Sequence, residues 1–142
     1  MRLNGEGFSM FAQRPLAAEV GGYKVRGHVD WMTASGSYEP YKPYFFLHEY
    51  KRQKASEADP LGQLLISMIA AQTLNDDGLP VYGSFVIGRS WSFVLMHGKE
   101  YSFSQAFDSL DEGELGRIWH TLHRTRELIV QRVAAEQQAG SR

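Results

Sequence analysis

Three charged residues stand where apolar strands end. Tyr44-Phe-Phe-Leu-His-Glu-Tyr-Lys51 is a hydrophobic run that closes on Glu-x-Lys, and Gly27-His-Val-Asp-Trp31 before it carries a lone Asp. Glu49 and Lys51 are two residues apart, so a strand directs them to the same face. Adjacent strands would bring Asp30 beside them. Hydrolysis of a phosphodiester needs charge neutralisation at the phosphate and an activated water. A magnesium ion supplies both when one or two carboxylates hold it and water and substrate phosphate complete its shell. Asp30 and Glu49 are the candidate ligands. Lys51 is the candidate ammonium to orient the water or stabilise developing charge.

The elements that would position these residues follow from the local pattern. Met10 to Val20 alternates weakly and contains Pro15, which suits an edge strand. Gly21-Gly22 is a hairpin turn into a strand over Tyr23 to Thr33. Its alternation places Tyr23, Val25, Gly27, Val29 and Trp31 on one face and Lys24, Arg26, His28, Asp30 and Met32 on the other. Ala34 to Pro43 reads as a loop, and Tyr44 to Lys51 as a central strand apolar on both faces until its end. Asp59-Pro60 predicts a helix start, with Leu61, Leu64, Leu65, Met68 and Ile69 on its apolar side. Gly62, Ala70 and Ala71 would let that helix approach a sheet, and Asn75-Asp-Asp-Gly78 would stop it.

Two more strands, Val81 to Ile87 and Ser90 to Met96, flank Gly88-Arg89. A short strand covers Glu100 to Ala106. Ser109 with Glu112 has the spacing of a capping box for a last helix, whose stripe would be Leu115, Ile118, Trp119, Leu122, Ile129 and Val133. The fold class expected is α/β (mixed α+β): a central mixed sheet, a helix after the Glu-x-Lys strand and a C-terminal helix. Residues 1–142 read as a single domain with loose ends at 1–9 and 136–142, or as a fragment of a longer protein.

Composition bounds the function classes. The chain has 142 residues, 43% hydrophobic and 22% charged, as for an ordinary soluble domain with one core. It has no Cys, which removes disulfides, thiol nucleophiles and zinc knuckles and fits a reducing cytoplasm. Its net charge of −1 gives no general support to nucleic-acid binding, so any such site is a local patch. No run approaches the roughly 20 apolar residues of a membrane span, and Met1 to Gly7 lacks the apolar segment of a signal peptide.

At the Asp30, Glu49 and Lys51 positions the chain resembles the PD-(D/E)XK nuclease superfamily. The matching stretches are His-Val-Asp-Trp around Asp30, Leu-His-Glu-Tyr-Lys around Glu49 and Lys51, and Pro-Leu-Gly-Gln-Leu-Leu around Gln63. The recombination-type exonuclease branch has a glutamine early in the helix that follows the Glu-x-Lys strand. The resemblance covers about Lys24 to Met96. It implies a restriction-endonuclease-like fold and magnesium- or manganese-dependent cleavage of DNA. Asp30, Glu49 and the Tyr50 backbone carbonyl would hold the metal. Lys51 would act on the attacking water, and Gln63 would orient the lysine or the substrate. Arg52 and Lys54, in the short basic run beside the site, would contact phosphates.

The chain departs from that family in two ways. Val29 stands where the family has Pro, and nothing before Gly21 reads as the helix that opens the family fold and supplies a further acid. Either this chain has lost the element, with Glu19 as a candidate substitute acid, or a homodimer or a larger protein supplies it. The other reading is a catalytically inactive nuclease-fold module that binds nucleic acid or serves assembly.

Plainer roles stand beside these. Glu49 and Lys51 also suit a surface pair where a central strand meets solvent, and Asp30 suits a turn cap. His28 shares the face of Asp30, whereas His48 lies opposite Glu49. His120 and His123 are exposed helix residues without a third ligand. Trp91, Phe93, Tyr101 and Phe103 read as core and sheet-face aromatics and not as a base-stacking platform.

Overall fold

The computed structural model describes residues 5, 7–52 and 59–140. In chain order these form β1 (Phe8–Val20), β2 (Tyr23–Ser35), β3 (Tyr41–Lys51), α1 (Pro60–Asn75), β4 (Val81–Ile87), β5 (Ser90–His97), β6 (Glu100–Phe103), β7 (Phe107–Asp108) and α2 (Glu112–Gly140). The strands make one sheet in the order β1-β2-β3-β4-β5-β6, with β7 also on β5. Neighbours are antiparallel except β3 and β4, which run parallel. A parallel pair cannot be joined by a tight turn, and the crossover between these two contains α1. The mixed sheet with two helices agrees with the sequence reading.

The β1–β2 hairpin turns at Gly21 and Gly22, with φ of 57° and 84°, the left-handed conformation that a two-residue turn of this kind requires. Pro15 is tolerated because β1 is the sheet edge. The alternation read along β2 does not hold throughout. Val29 and Met32 are three residues apart yet both enter the core, as do Phe11 and Leu16 on β1. Trp31, expected to share a face with Val29, is instead 46% exposed. The cause is Gln13, whose φ of 46° is left-handed. It lies between the pairs Ala12↔Trp31 and Arg14↔Val29, so both strands turn over at this point. Asp30 is the β2 residue at the turnover.

The expected loop over 34–43 is shorter in the structure. β2 continues through Ser35 and β3 begins at Tyr41, with register irregularities after Thr33 and after Ala34. There the Asn75 side chain replaces a strand partner: its Oδ1 accepts from Tyr44 N–H at 2.7 Å and its Nδ2 donates to Tyr44 C=O at 2.9 Å.

Asp59 caps α1 as expected, its carboxylate accepting from Leu61 N–H at 3.1 Å, and Pro60 follows in the first turn. The helix ends at Asp76, left-handed at φ 47°. Leu64, Met68, Ala70 and Ala71 of α1 pack with Val29, Met32, Leu47, Val81 and Val94 of the sheet. The close approach depends on sheet glycines. A Cβ on Gly27 would lie 2.1 Å from Ser67 Oγ, and one on Gly83 3.1 Å from Met68 Sδ. Gly62 has no such part, since its nearest neighbour is the Asp59 carboxylate.

α2 covers the opposite face. Ile129 and Val133 join Phe8, Phe45 and Phe46 in a second core. Arg132 lies over the Phe45 ring at 5.0 Å and bonds to Pro80 C=O and to Asp77. Two details of the sequence reading change. The N-cap is Asp111, whose carboxylate accepts from Glu114 N–H at 3.0 Å, while Ser109 belongs to the preceding turn. Leu115 and Trp119, assigned to the apolar stripe, are 48% and 51% exposed, whereas Ile118 between them is buried. Residues expected to be loose are also structured: Phe8 and Ser9 belong to β1, and α2 runs on to Gly140.

Candidate active site

β2 and β3 pair from Ser35↔Tyr41 to Trp31↔His48, and there the ladder stops. The next two residues facing one another are Asp30 and Glu49. Past the last ladder pair, the Tyr50 N–H is met by a side chain of β2. Asp30 Oδ2 accepts it at 2.7 Å. The Asp30 carboxylate is thereby anchored across the gap between the two strands.

Glu49 lies on the α1 side of β3 with Leu47, and only 4% of it is exposed. Its Oε1 is buried with no hydrogen-bond partner. Burial first, and then the negative charge of Asp30, push its pKa up to about 7, against the opposing pull of Lys51. A surface ion pair does not look like this, since a paired and solvated Glu keeps an ordinary acidity. The strand end therefore holds two interacting carboxyls that Lys51 compensates only in part.

Asp30, Glu49, Lys51 and Gln63 line a single cavity of about 380 Å³, together with Arg26 and His28. β2 supplies Arg26, His28 and Asp30, β3 supplies Glu49 and Lys51, and the first turn of α1 supplies Gln63. Arg26 was not singled out from the sequence. Gly27 and Val29 beside it face α1, so the alternation of the strand carried no signal that Arg26 would line this cavity.

The remaining candidates fall elsewhere. Tyr50 contributes its backbone N–H to the site, while its side chain is exposed on the other face with His48. Arg52 is exposed just past β3 and is not among the residues lining the cavity. Lys54 lies outside the described residues. His48 is bonded through Nδ1 to Ser84 Oγ at 2.5 Å, and burial lowers its pKa to about 4 against the pull of Asp30, so it is neutral at physiological pH. His123 stacks on Trp119 and His120 lies tilted against it, and His123 Nε2 is 3.3 Å from Glu127.

Two carboxylates converge on one cavity, and a buried Glu49 oxygen has no donor. A hard divalent cation that takes oxygen ligands would satisfy that oxygen and relieve the repulsion that raises the Glu49 pKa. Among the described residues no group of three or more His, Cys, Asp or Glu side chains comes together as a metal site. The protein would therefore supply few side-chain ligands and leave positions for water and substrate, which is the habit of magnesium sites. No family model, curated protein or solved structure matches this chain.

Proposed function

We propose that this chain is a divalent-metal-dependent nuclease that hydrolyses DNA phosphodiester bonds, of the PD-(D/E)XK kind and with a restriction-endonuclease-like fold. The observation that carries the reading is the meeting of Asp30 and buried Glu49 at the split between β2 and β3, with Lys51 lining the same cavity. The strand order supports it. Three successive antiparallel strands, a crossover helix and a parallel fourth strand bring the acids and the lysine to one end of the sheet.

Each residue then has a defined task. Asp30 and Glu49 would hold the ion, with the Tyr50 carbonyl as a further ligand. Magnesium or manganese, when bound, neutralises phosphate charge and makes bound water more acidic. Lys51 hydrogen-bonds the attacking water or the phosphoryl oxygen on which charge builds. Gln63 directs its amide toward Lys51 or substrate. Arg26 pairs with a non-bridging phosphate oxygen.

Purified protein should cut linear or single-stranded DNA with magnesium or manganese, and chelation should stop it. Asp30→Asn and Lys51→Ala should each lower the rate at least ~100-fold, the scale of losing one transition-state donor or acid–base group. DNA bound but left intact by folded wild-type protein would favour the inactive-module reading instead.

A further inference from the structure

The side of the sheet opposite Glu49 carries a second cavity, of about 240 Å³. Its walls include Trp31, Trp91, His48, Phe46, Thr33 and Leu122. This is smaller than clefts that enclose drug-sized ligands, which run to about 300–1,000 Å³. The His48 and Trp91 rings lie 5.4 Å apart, and Trp91 stacks in turn on Phe93 at 6.3 Å. The indole N–H of Trp91 is buried and has no acceptor. A buried donor without a partner is costly, and Trp91 belongs to the wall of this slot.

A third cavity, of about 390 Å³, shares Asp30 with the candidate active site and Trp31 and His48 with the slot. The three cavities thus follow one another by shared lining residues around the end of the β2–β3 ladder, on the two faces of the sheet. What fits the slot is planar, apolar on both faces and rich in acceptors on its edge. What fits the first cavity, on the reading above, is a phosphate. One polymer, a nucleic-acid strand, carries both groups.

We propose that the Trp31–Trp91 slot takes an unstacked nucleobase of the strand being cut, so that the substrate is single-stranded or frayed DNA. This inference rests on the nuclease reading. Stacking on an aromatic side chain is tolerant of base identity, so the slot selects for strandedness and not for sequence.

The test is binding and cleavage of fluorescent single-stranded oligonucleotides and of a fully paired, hairpin-closed duplex. Binding is measured in the Lys51→Ala background and cleavage in otherwise wild-type protein with magnesium. Trp31→Ala should weaken single-strand binding roughly 5- to 100-fold, the range for losing one base–aromatic stack, and leave duplex binding within about 2-fold. Tryptophan emission of a Trp119→Phe protein should fall as single strand is added. An oligonucleotide with consecutive abasic sites should bind the unaltered slot as weakly as the base-bearing strand binds Trp31→Ala, a comparison that holds even if Trp31→Ala folds poorly. Equal affinity for abasic and base-bearing strands overturns the slot. Cleavage that proceeds with no base dependence overturns the slot and leaves the nuclease reading standing. Absence of both binding and cleavage overturns both.

Discussion

Glu49 is the residue with the sharpest physical signature. Its carboxyl is buried, one oxygen has no partner, and its pKa stands at about 7 against an ordinary 4.5. A carboxyl whose folded pKa is raised favours folding while protonated, and that contribution is lost as pH rises from 4.5 through 7. Without metal, Glu49→Gln should therefore stabilise the protein by about 1–3 kcal/mol at pH 8 and by much less at pH 5, read by denaturant melts at both values. Metal binding competes with the same proton. Magnesium should raise the melting temperature more at pH 8 than at pH 6, and Glu49→Gln should remove most of that rise. An equal rise at both pH values, or one that survives Glu49→Gln, would place the ion elsewhere. From the sequence, Glu49 and Lys51 were legible as a pair on one face. The degree of burial was not, because it depends on how α1 and the β1–β2 hairpin close over the strand end.

Among the elements, β2 shows where pattern reading stops. Its ends and its turn were legible, since Gly21-Gly22 and the apolar alternation are strong local signals. The turnover was not. It comes from Gln13 on the neighbouring strand, and glutamine carries no preference for positive φ. Gln13→Gly should be tolerated or mildly stabilising, whereas Gln13→Val should cost about 1–3 kcal/mol and disturb the Asp30–Tyr50 contact, seen as a lower melting temperature and weaker magnesium stabilisation. The Asn75 side chain is a second feature of this kind. It reads as a helix-stop residue, yet it closes the gap left at the irregular start of β3. Asn75→Ala leaves the N–H and C=O of Tyr44 without partners and should cost about 1–3 kcal/mol in a denaturant melt. The first turns of α2 misled for a related reason. Ser109 and Glu112 have capping-box spacing, but the chain is still pairing with β5 through β7 at Asp108, so the helix starts at the next acidic cap, Asp111.

At the scale of the whole molecule, the architecture was legible because each strand and helix carried its own period and its own stop. β4, β5 and α1 fall almost where the sequence places them. The mixed sheet followed from a helix lying between two strong strands. The layout of cavities was not legible, because they arise from elements distant in sequence. Arg26, Glu49 and Gln63 line one of them, and Trp31, Trp91 and Leu122 another. The helices occupy opposite faces, and the β2–β3 split opens between them. Among the described residues no helix is long and apolar enough to cross a membrane.

The most direct measurement is the single-turnover cleavage rate of labelled single-stranded DNA by purified protein at saturating magnesium, compared with Lys51→Ala of unchanged circular dichroism and melting temperature. The account predicts metal-dependent cutting by the wild-type chain and a rate at least ~100-fold lower for Lys51→Ala. Cutting that persists unchanged in Lys51→Ala, or folded wild-type protein that leaves DNA intact with both magnesium and manganese, would contradict it.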